Sequence, residues 1–109
     1  MTRELVFRPA ARHDLEEAAD YLTDHASKQV AHEFGKAAEV AFMQLLEQPH
    51  LGCTQEWLAS RLRGCRRWRV AKPFQIYQVF YCVTDEILDV VRVLHGSRDI
   101  EAVFEQSDG

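Results

Sequence analysis

The segment FQIYQVFYCVTDEILDVVRVLH, residues 74–95, contains the two runs of this chain that most strongly favour β-structure. Residues 74–83 and 87–95 are rich in aromatic and β-branched side chains, which are typical of strands. The polar tripeptide Thr84-Asp85-Glu86 between them is short enough to form a hairpin turn. In the second run apolar residues occupy both alternating faces, so this strand should be covered on both sides. The segment therefore predicts the centre of a sheet on which other elements pack.

A strongly basic stretch, RLRGCRRWRVAK, precedes this segment at residues 61–72 and carries six cations and no acid. We expect a short strand at 66–70, in which Arg67 and Arg69 share one face and Trp68 lies on the other. If Trp68 faces the core, both arginines project together into solvent or a groove. They could bind an anion through bidentate contacts to phosphate or carboxylate. They could equally protect an edge strand from aggregation, and the sequence leaves both interpretations open.

The N-terminal half predicts a short strand followed by two helices. A strand at residues 4–8 is stopped by Pro9, which also suits the first turn of a helix. Apolar residues at helical spacing predict helices over 10–24 and 28–47, with Ser27 as the N-cap of the second. The acids of the first helix are expected to form a solvated face: Asp14, Glu16 and Glu17.

Together these elements predict an α+β fold that spans residues 1–109 as a single domain. The expected order is β-α-α-β-β-β: an N-terminal strand, a helical hairpin and then a three-stranded antiparallel sheet, with the hairpin packed on one face. Residues 50–60 should be a connector without regular structure, held to the core by Trp57 and Leu58. A final helix over 99–106 is optional.

The charges form three blocks, whose sums are −4, +4 and −4 over residues 1–47, 48–98 and 99–109, and these add to the net charge of −4. A basic block between two acidic ones suggests a directed surface for an anionic partner. No apolar run approaches the roughly 20 residues that a membrane helix needs. The N-terminus lacks the apolar core of a secretory signal. We therefore expect a cytoplasmic protein without membrane association.

The three cysteines, Cys53, Cys65 and Cys82, form no paired motif, so we expect no disulfide and reduced thiols. His50 with Cys53 and Cys65 is a partial zinc-like spacing, but the usual fourth ligand is missing. No motif for a nucleophile with its base, and no phosphate-binding glycine loop, is present. The sequence therefore predicts neither a metal nor a cofactor.

The last strand ends in His95-Gly96-Ser97-Arg98-Asp99. Glycine at this point allows a sharp turn, which would direct Arg98 away from the end of the sheet. Arg98 then either binds an anionic partner or a reacting phosphate, or pairs with Asp99 or a helix acid to fix the C-terminus. For His95 a structural role is favoured.

Five groups of residues are informative through their order and spacing: Phe7-Arg8-Pro9-Ala10-Ala11 with Asp14, Leu15 and Tyr21; Leu46 with Pro49 and Gly52; Leu62-Arg63-Gly64; Phe74, Tyr77 and Phe80-Tyr81; and Arg92-Val93-Leu94-His95-Gly96-Ser97-Arg98-Asp99. Together they resemble the RelE/ParE superfamily of bacterial type II toxin–antitoxin toxins, on its ParE-like side. The resemblance covers nearly the whole chain, and its last group is the most specific.

The resemblance implies one of two activities. ParE-like toxins poison DNA gyrase and stall replication, whereas RelE-like toxins cut mRNA in the ribosomal A site with cations, a strand arginine and a C-terminal tyrosine. Gln75 and Phe104 stand at those last two positions here, while Arg67, Arg69 and Arg98 remain as candidate catalytic cations. These departures favour a protein-binding inhibitor of gyrase over a ribonuclease. A non-toxic binding module on the same fold is the third alternative.

The resemblance also implies a cognate antitoxin, a ParD-like ribbon-helix-helix protein or similar, whose C-terminal segment folds on the toxin. The candidate partner-binding residues are Arg63, Arg67, Arg69 and Arg98. We expect the docking surface to combine the alanine-lined helical hairpin with the basic strand, because an acidic amphipathic peptide could contact both.

Overall fold

The computed structural model describes residues 3–106 and contains four strands and four helices in this part of the chain. Their bounds are β1 Glu4–Phe7, α1 Pro9–His25, α2 Lys28–Glu47, α3 Glu56–Arg61, β2 Cys65–Arg69, β3 Tyr77–Val83, β4 Ile87–His95 and α4 Ile100–Gln106. The predicted α+β class and element order are confirmed, including the optional last helix. Within the described range, no helix is both long enough and apolar enough to cross a bilayer.

Two stretches differ locally from the predictions. Residues 50–60 were expected to be a connector, but α3 begins among them at Glu56 and places Leu58 in the core, where it is fully buried. The strand expected from residue 74 begins only at Tyr77, because the preceding residues form a turn. In this turn the Phe74 amide donates to the Ala71 carbonyl, and the Tyr77 amide donates to the Phe74 carbonyl.

The four strands form one mixed sheet in the order β1-β4-β3-β2. β1 runs parallel to β4, and the other two pairs are antiparallel. The β3–β4 hairpin is the predicted one, and its register is interrupted by a bulge: Phe80 pairs with Arg92 and Tyr81 with Val90, so Val91 has no partner. β4 is therefore a central strand and β2 an edge strand.

The helical hairpin of α1 and α2 covers one face of the sheet. Ser27 caps α2 as predicted, its hydroxyl accepting from the Val30 amide at 3.1 Å. Small residues let the two helices approach each other and the sheet, and larger α2 side chains fill the space above β3 and β4. Four alanines of the hairpin belong to this core: Ala11, Ala18, Ala38 and Ala41 are all at most 7% exposed. The protein itself covers these four, so they are not available to a docked peptide, and the part that the rest of the hairpin plays in docking stays a prediction.

A second, smaller core covers the opposite face. α3 and α4 contribute Leu58 and Phe104, which pack with Phe80, Val91 and Leu94 of the sheet. The Phe80 and Phe104 rings meet edge to face with their centroids 5.0 Å apart. Because β4 lies between two cores, both of its faces are apolar, as its sequence indicated.

The cysteine prediction is wrong. Cys65 and Cys82 lie directly opposite each other on β2 and β3 and are joined as a disulfide, while Cys53 is free and exposed. The pairing could not be recognised from spacing, since it depends on the β2–β3 register. It links the basic edge strand covalently to the centre of the sheet.

Candidate functional site

A pocket of about 270 Å³ opens between α1 and the C-terminal end of β4. Its walls include two tyrosines and the end of the last strand: Tyr21, Tyr77, Val93, His95, Ser97 and Arg98. Two acids and an alanine of α1 complete it: Asp14, Glu17 and Ala18. The sequence singled out Arg98 and His95 among these residues, but it did not connect them to α1.

Asp14 builds one wall of the pocket by capping the exposed edge of β4. β1 pairs with β4 only as far as Phe7, because the chain then turns into α1. Beyond that point the Asp14 carboxylate replaces the missing strand, accepting from the Val93 amide at 3.0 Å. It also accepts from the Arg92 guanidinium at 2.7 and 2.8 Å. The hydrogen bond that Arg92 donates to Asp14 is the main cause that raises the pKa of Arg92.

The prediction that Asp14 belongs to a solvated acidic face is therefore wrong: it is 6% exposed. Glu16 and Glu17 are exposed as expected. A signal for burial was present in the sequence, because Asp14 lies three residues after Ala11 and four before Ala18 on the buried stripe of α1. A carboxylate on such a stripe requires a partner, and Arg92 supplies it.

The Nδ1 side of the His95 ring is held within its own turn, as a structural role predicts, and these hydrogen bonds fix its tautomer. Its Nδ1 lies 3.1 Å from the Ser97 amide and 2.7 Å from the Ser97 hydroxyl oxygen. A backbone N–H can only donate, so Nδ1 is the acceptor and the neutral ring carries its proton on Nε2. The ring also meets Tyr77 edge to face, with centroids 5.1 Å apart. The turn that holds Ser97 is closed by the Arg98 amide, which donates to the His95 carbonyl at 3.1 Å.

The two tyrosines bring phenol groups to the same pocket. Burial, and to a lesser extent the neighbouring Tyr21, raises the pKa of Tyr77. Tyr77 therefore remains a protonated phenol, able to donate, at every physiological pH. Tyr21 is half-exposed and stacks on His25 with the ring centroids 4.1 Å apart.

Arg98 is exposed at the rim and makes no side-chain hydrogen bond or ion pair with any residue between 3 and 106. The sequence left open whether Arg98 binds an anion or pairs with Asp99 or a helix acid. In the part of the chain that the structure describes, Arg98 and Asp99 form no pair. Asp99 instead caps α4, its Oδ1 accepting from the Ala102 amide at 3.2 Å. The Arg98 guanidinium is thus available to a ligand.

The other candidate arginines lie elsewhere. Arg67 is half-buried and Arg69 exposed, both on the opposite sheet face from Trp68, which packs on the hairpin core as expected. Arg63 is exposed in the turn before β2. Neither Arg67 nor Arg69 lines the pocket, since β3 separates β2 from β4 by about two strand spacings, roughly 10 Å. The structure therefore does not gather Arg67, Arg69 and Arg98 around one cavity.

Arg66, next to this pair, has a structural role that the sequence did not indicate. Its Nη1 donates to the Gly52 carbonyl at 2.7 Å. Cys53, the following residue, forms an isolated bridge with Arg67. The segment after α2 is in this way fastened to the outer edge of β2.

The zinc-like spacing finds no support in geometry. Cys65 is bonded to Cys82, and no group of three His, Cys, Asp or Glu side chains in the described part of the chain is arranged to hold a metal ion.

Solved structures share this fold. A chain of the chromosomal ParDE system from P. aeruginosa superposes with a TM-score of 0.69 at 14% identity, over 86% of this chain and 96% of that one. A double Arg-to-Ala mutant of E. coli RelE in the free state gives 0.59 at 15% identity, over 94% and 93%. The intact E. coli RelBE toxin–antitoxin complex gives 0.51 at 20% identity, over 88% and 99%. These similarities establish a common fold.

The sequence supplies the family. Residues 5–100 match the family described as the ParE toxin of the type II toxin-antitoxin system parDE, and the chain belongs to that family. The search against curated proteins found no match. The ParE-like resemblance noted in the sequence is thereby confirmed.

Proposed function

We propose that this ParE-family chain binds and inhibits a type II topoisomerase, DNA gyrase, as expected for the ParE-like side of the superfamily. One observation favours inhibition of gyrase over cleavage of RNA. Phe104, which stands where the ribonucleases have a tyrosine, is 5% exposed and packs on Phe80 and Trp57. A buried phenyl ring has no hydroxyl to exchange a proton and no access to a phosphate.

The remaining ribonuclease positions support the same choice. Gln75 lies in an exposed turn before β3 and carries no positive charge. Arg67 and Arg69 do not line the pocket to which Arg98 contributes. Acid–base and electrostatic groups each contribute about 10²–10⁴-fold to such rates, so their loss or dispersal would leave little cleavage.

The test is a gyrase assay with the purified full-length chain. We expect inhibition of supercoiling and accumulation of cleaved DNA, with a type I topoisomerase as the unaffected control. Gyrase that keeps its full supercoiling and cleavage behaviour at a micromolar excess of the chain would refute the proposal.

A second candidate, ribosome-dependent cleavage of mRNA, is favoured by one feature of the pocket: His95 and Tyr77 lie beside Arg98. An imidazole and a phenol could carry protons where a guanidinium binds phosphate. Programmed ribosomes would then show cuts at fixed codon positions that Arg98→Ala abolishes and Lys36→Ala preserves. Intact mRNA in that assay removes this candidate. Unchanged growth on inducing the chain alone would instead indicate the non-toxic binding module.

We further propose that an antitoxin neutralises the chain by docking on its basic edge. One structural relative is a toxin–antitoxin complex, and Arg63 and Arg69 here are exposed beside the half-buried Arg67. Replacing Arg67 and Arg69 with Glu should weaken binding of the antitoxin encoded next to this chain. The matched control replaces Lys28 and Lys36, exposed cations of α2, with Glu. Equal affinities of both double variants in calorimetry would mean that the antitoxin docks elsewhere.

A further inference from the structure

The acids in the pocket between α1 and β4 are already satisfied. Both Asp14 oxygens accept hydrogen bonds from Arg92, and one of them also accepts from the Val93 amide. Glu17 accepts from His13 Nε2 at 2.8 Å and lies at the solvent-exposed rim, where water screens its charge. Neither acid therefore offers a free acceptor deep in the pocket.

The groups without partners are hydrogen-bond donors. Because His95 Nδ1 accepts from Ser97, the His95 Nε2–H is a donor. The Arg98 guanidinium makes no side-chain bond within residues 3–106. Tyr77 stays protonated, since burial raises the pKa of its phenol. A pocket that presents one fixed positive charge and several donors is complementary to a small anion.

We propose that this pocket binds the carboxylate of a single acidic side chain of a partner polypeptide, with Arg98 as its counter-ion and the His95 Nε2–H and the Tyr77 hydroxyl as further donors. A volume of about 270 Å³ suffices for one Asp or Glu side chain with accompanying water. This inference goes beyond the proposed inhibition of gyrase, because it assigns a ligand chemistry to a pocket whatever the toxic target is.

The surroundings favour a protein over a nucleic acid. From Glu17 at the pocket rim, a stripe of exposed acids continues along α1 with Asp20 and Asp24, three and seven residues later. The successive phosphates of an RNA strand would meet these like charges once one phosphate occupied the pocket. A peptide with one acid and neighbouring cations avoids this repulsion and gains attraction along α1. The expected partner segment is therefore an isolated acidic residue flanked by Lys or Arg.

The first experiment titrates the isotopically labelled full chain with the blocked tripeptide acetyl-Lys-Glu-Lys-amide and follows its NMR spectrum. We expect saturable shifts of the Ser97 and Arg98 amides and of the His95 ring nitrogens. The matched probe, acetyl-Lys-Gln-Lys-amide, should bind about tenfold more weakly, the factor that corresponds to one charge-assisted hydrogen bond. Non-specific attraction to this acidic chain predicts the opposite order, because the Gln peptide carries more positive charge. Equal or stronger binding of the Gln peptide overturns the proposal.

Variants locate the site. Arg98→Gln should lower the affinity for the Glu peptide about tenfold while leaving the amide spectrum of the fold intact. Lys36→Gln removes an equal charge from the outer face of α2 and should have no effect. Equal losses in both variants would refute the assignment.

Two further measurements test whether the pocket prefers RNA to the peptide and whether His95 has the tautomer that the proposal requires. An oligouridylate that shifts the same signals at lower concentration than the Glu peptide would replace the proposal with an RNA site. The nitrogen shifts of His95 should report a protonated Nε2 and an unprotonated Nδ1. The reverse tautomer would remove the donor on which the proposal depends.

Discussion

Single residues hold together parts of this molecule that are far apart in sequence. The Tyr81 hydroxyl, in a fully buried side chain, donates to the Pro49 carbonyl at 2.7 Å and accepts from the Gly52 amide at 2.9 Å. A side chain at Gly52 has no room, since its Cβ would lie 2.8 Å from the Arg67 carbonyl oxygen. One hydroxyl thus fixes the path of the chain after α2.

We predict that Tyr81→Phe lowers the free energy of unfolding by about 2 kcal/mol, because it leaves two buried backbone groups without partners. Urea unfolding followed by circular dichroism measures the loss. Tyr21→Phe is the control: Tyr21 is 54% exposed and its hydroxyl has no hydrogen bond within the described residues, so the change should be near zero. Equal stabilities of the two variants would contradict the structural role of the Tyr81 hydroxyl.

Asp14 is the second residue of this kind. Asp14→Ala would leave the Arg92 guanidinium, whose side chain is 17% exposed, without its counter-ion and the Val93 amide without an acceptor. Removing one partner of a buried ion pair is expected to lower the free energy of unfolding by about 3 kcal/mol. Chemical unfolding of Asp14→Ala, with Glu16→Ala as the control, measures the loss of unfolding free energy. Removing the exposed Glu16 side chain should change the free energy of unfolding by no more than about 0.5 kcal/mol. An equally small change for Asp14→Ala would show that the Asp14–Arg92 pair does not stabilise the fold.

At the scale of elements, β2 is the strand that depends most on cross-links. It lies at the sheet edge and pairs on its inner side with β3. On its outer side, within the described residues, it is held by the bridge between Cys53 and Arg67 and by the hydrogen bond from Arg66 to the Gly52 carbonyl. The disulfide from Cys65 to Cys82 adds a covalent tie. The strand that carries Arg67 and Arg69 is thereby presented in a fixed position on the sheet.

We predict one reactive thiol per chain without reductant and three after reduction, counted by alkylation and mass spectrometry of the denatured protein. The disulfide spans a separation of 17 residues. A loop of that length corresponds to a stabilisation of about 3 kcal/mol in the chain-entropy account, so replacing Cys65 and Cys82 with Ser should lower the unfolding free energy accordingly. Cys53→Ser, at an exposed position, should leave the unfolding free energy unchanged. Three reactive thiols in air-oxidised protein would show that the bond does not form.

At the scale of the whole molecule, the sheet lies between two cores, and its buried tyrosines couple stability to pH. Burial raises the pKa of both Tyr77 and Tyr81 above the usual 10.0. Near and above that pH the folded chain retains protons that the unfolded chain has lost. Because the folded state then binds more protons than the unfolded state, stability falls as pH rises.

We therefore expect titration of these tyrosines to leave the free energy of unfolding unchanged near pH 8 and to lower it above about pH 10. Urea unfolding curves at pH 8 and pH 11 test this. Tyr77→Phe, which removes one of the two groups, should show a smaller decline than the unchanged chain. An identical decline in both proteins would show that Tyr77 does not contribute.

Much of the architecture could be predicted from local patterns. The helices of the hairpin and the β3–β4 turn follow from periodicities of 3.6 and 2 residues, which are written into contiguous sequence. The apolar residues on both faces of β4 correctly indicated two covering layers. α3 was missed because a helix of six residues is too short to show a period. The RelE/ParE resemblance was likewise visible in the order of its motifs.

Local patterns in the sequence were enough to predict the α+β class, the order of every element except α3, the three charge blocks and the ParE family. Three features became visible only in three dimensions: Asp14 pairs with Arg92, Cys65 bonds Cys82, and Arg98 lines a pocket that Arg67 and Arg69 do not reach. Each of these depends on strand register and on contacts between distant parts of the chain, such as the separation of 78 residues between Asp14 and Arg92. Side-chain spacing within one element carries no information about such contacts, because only packing in three dimensions creates them.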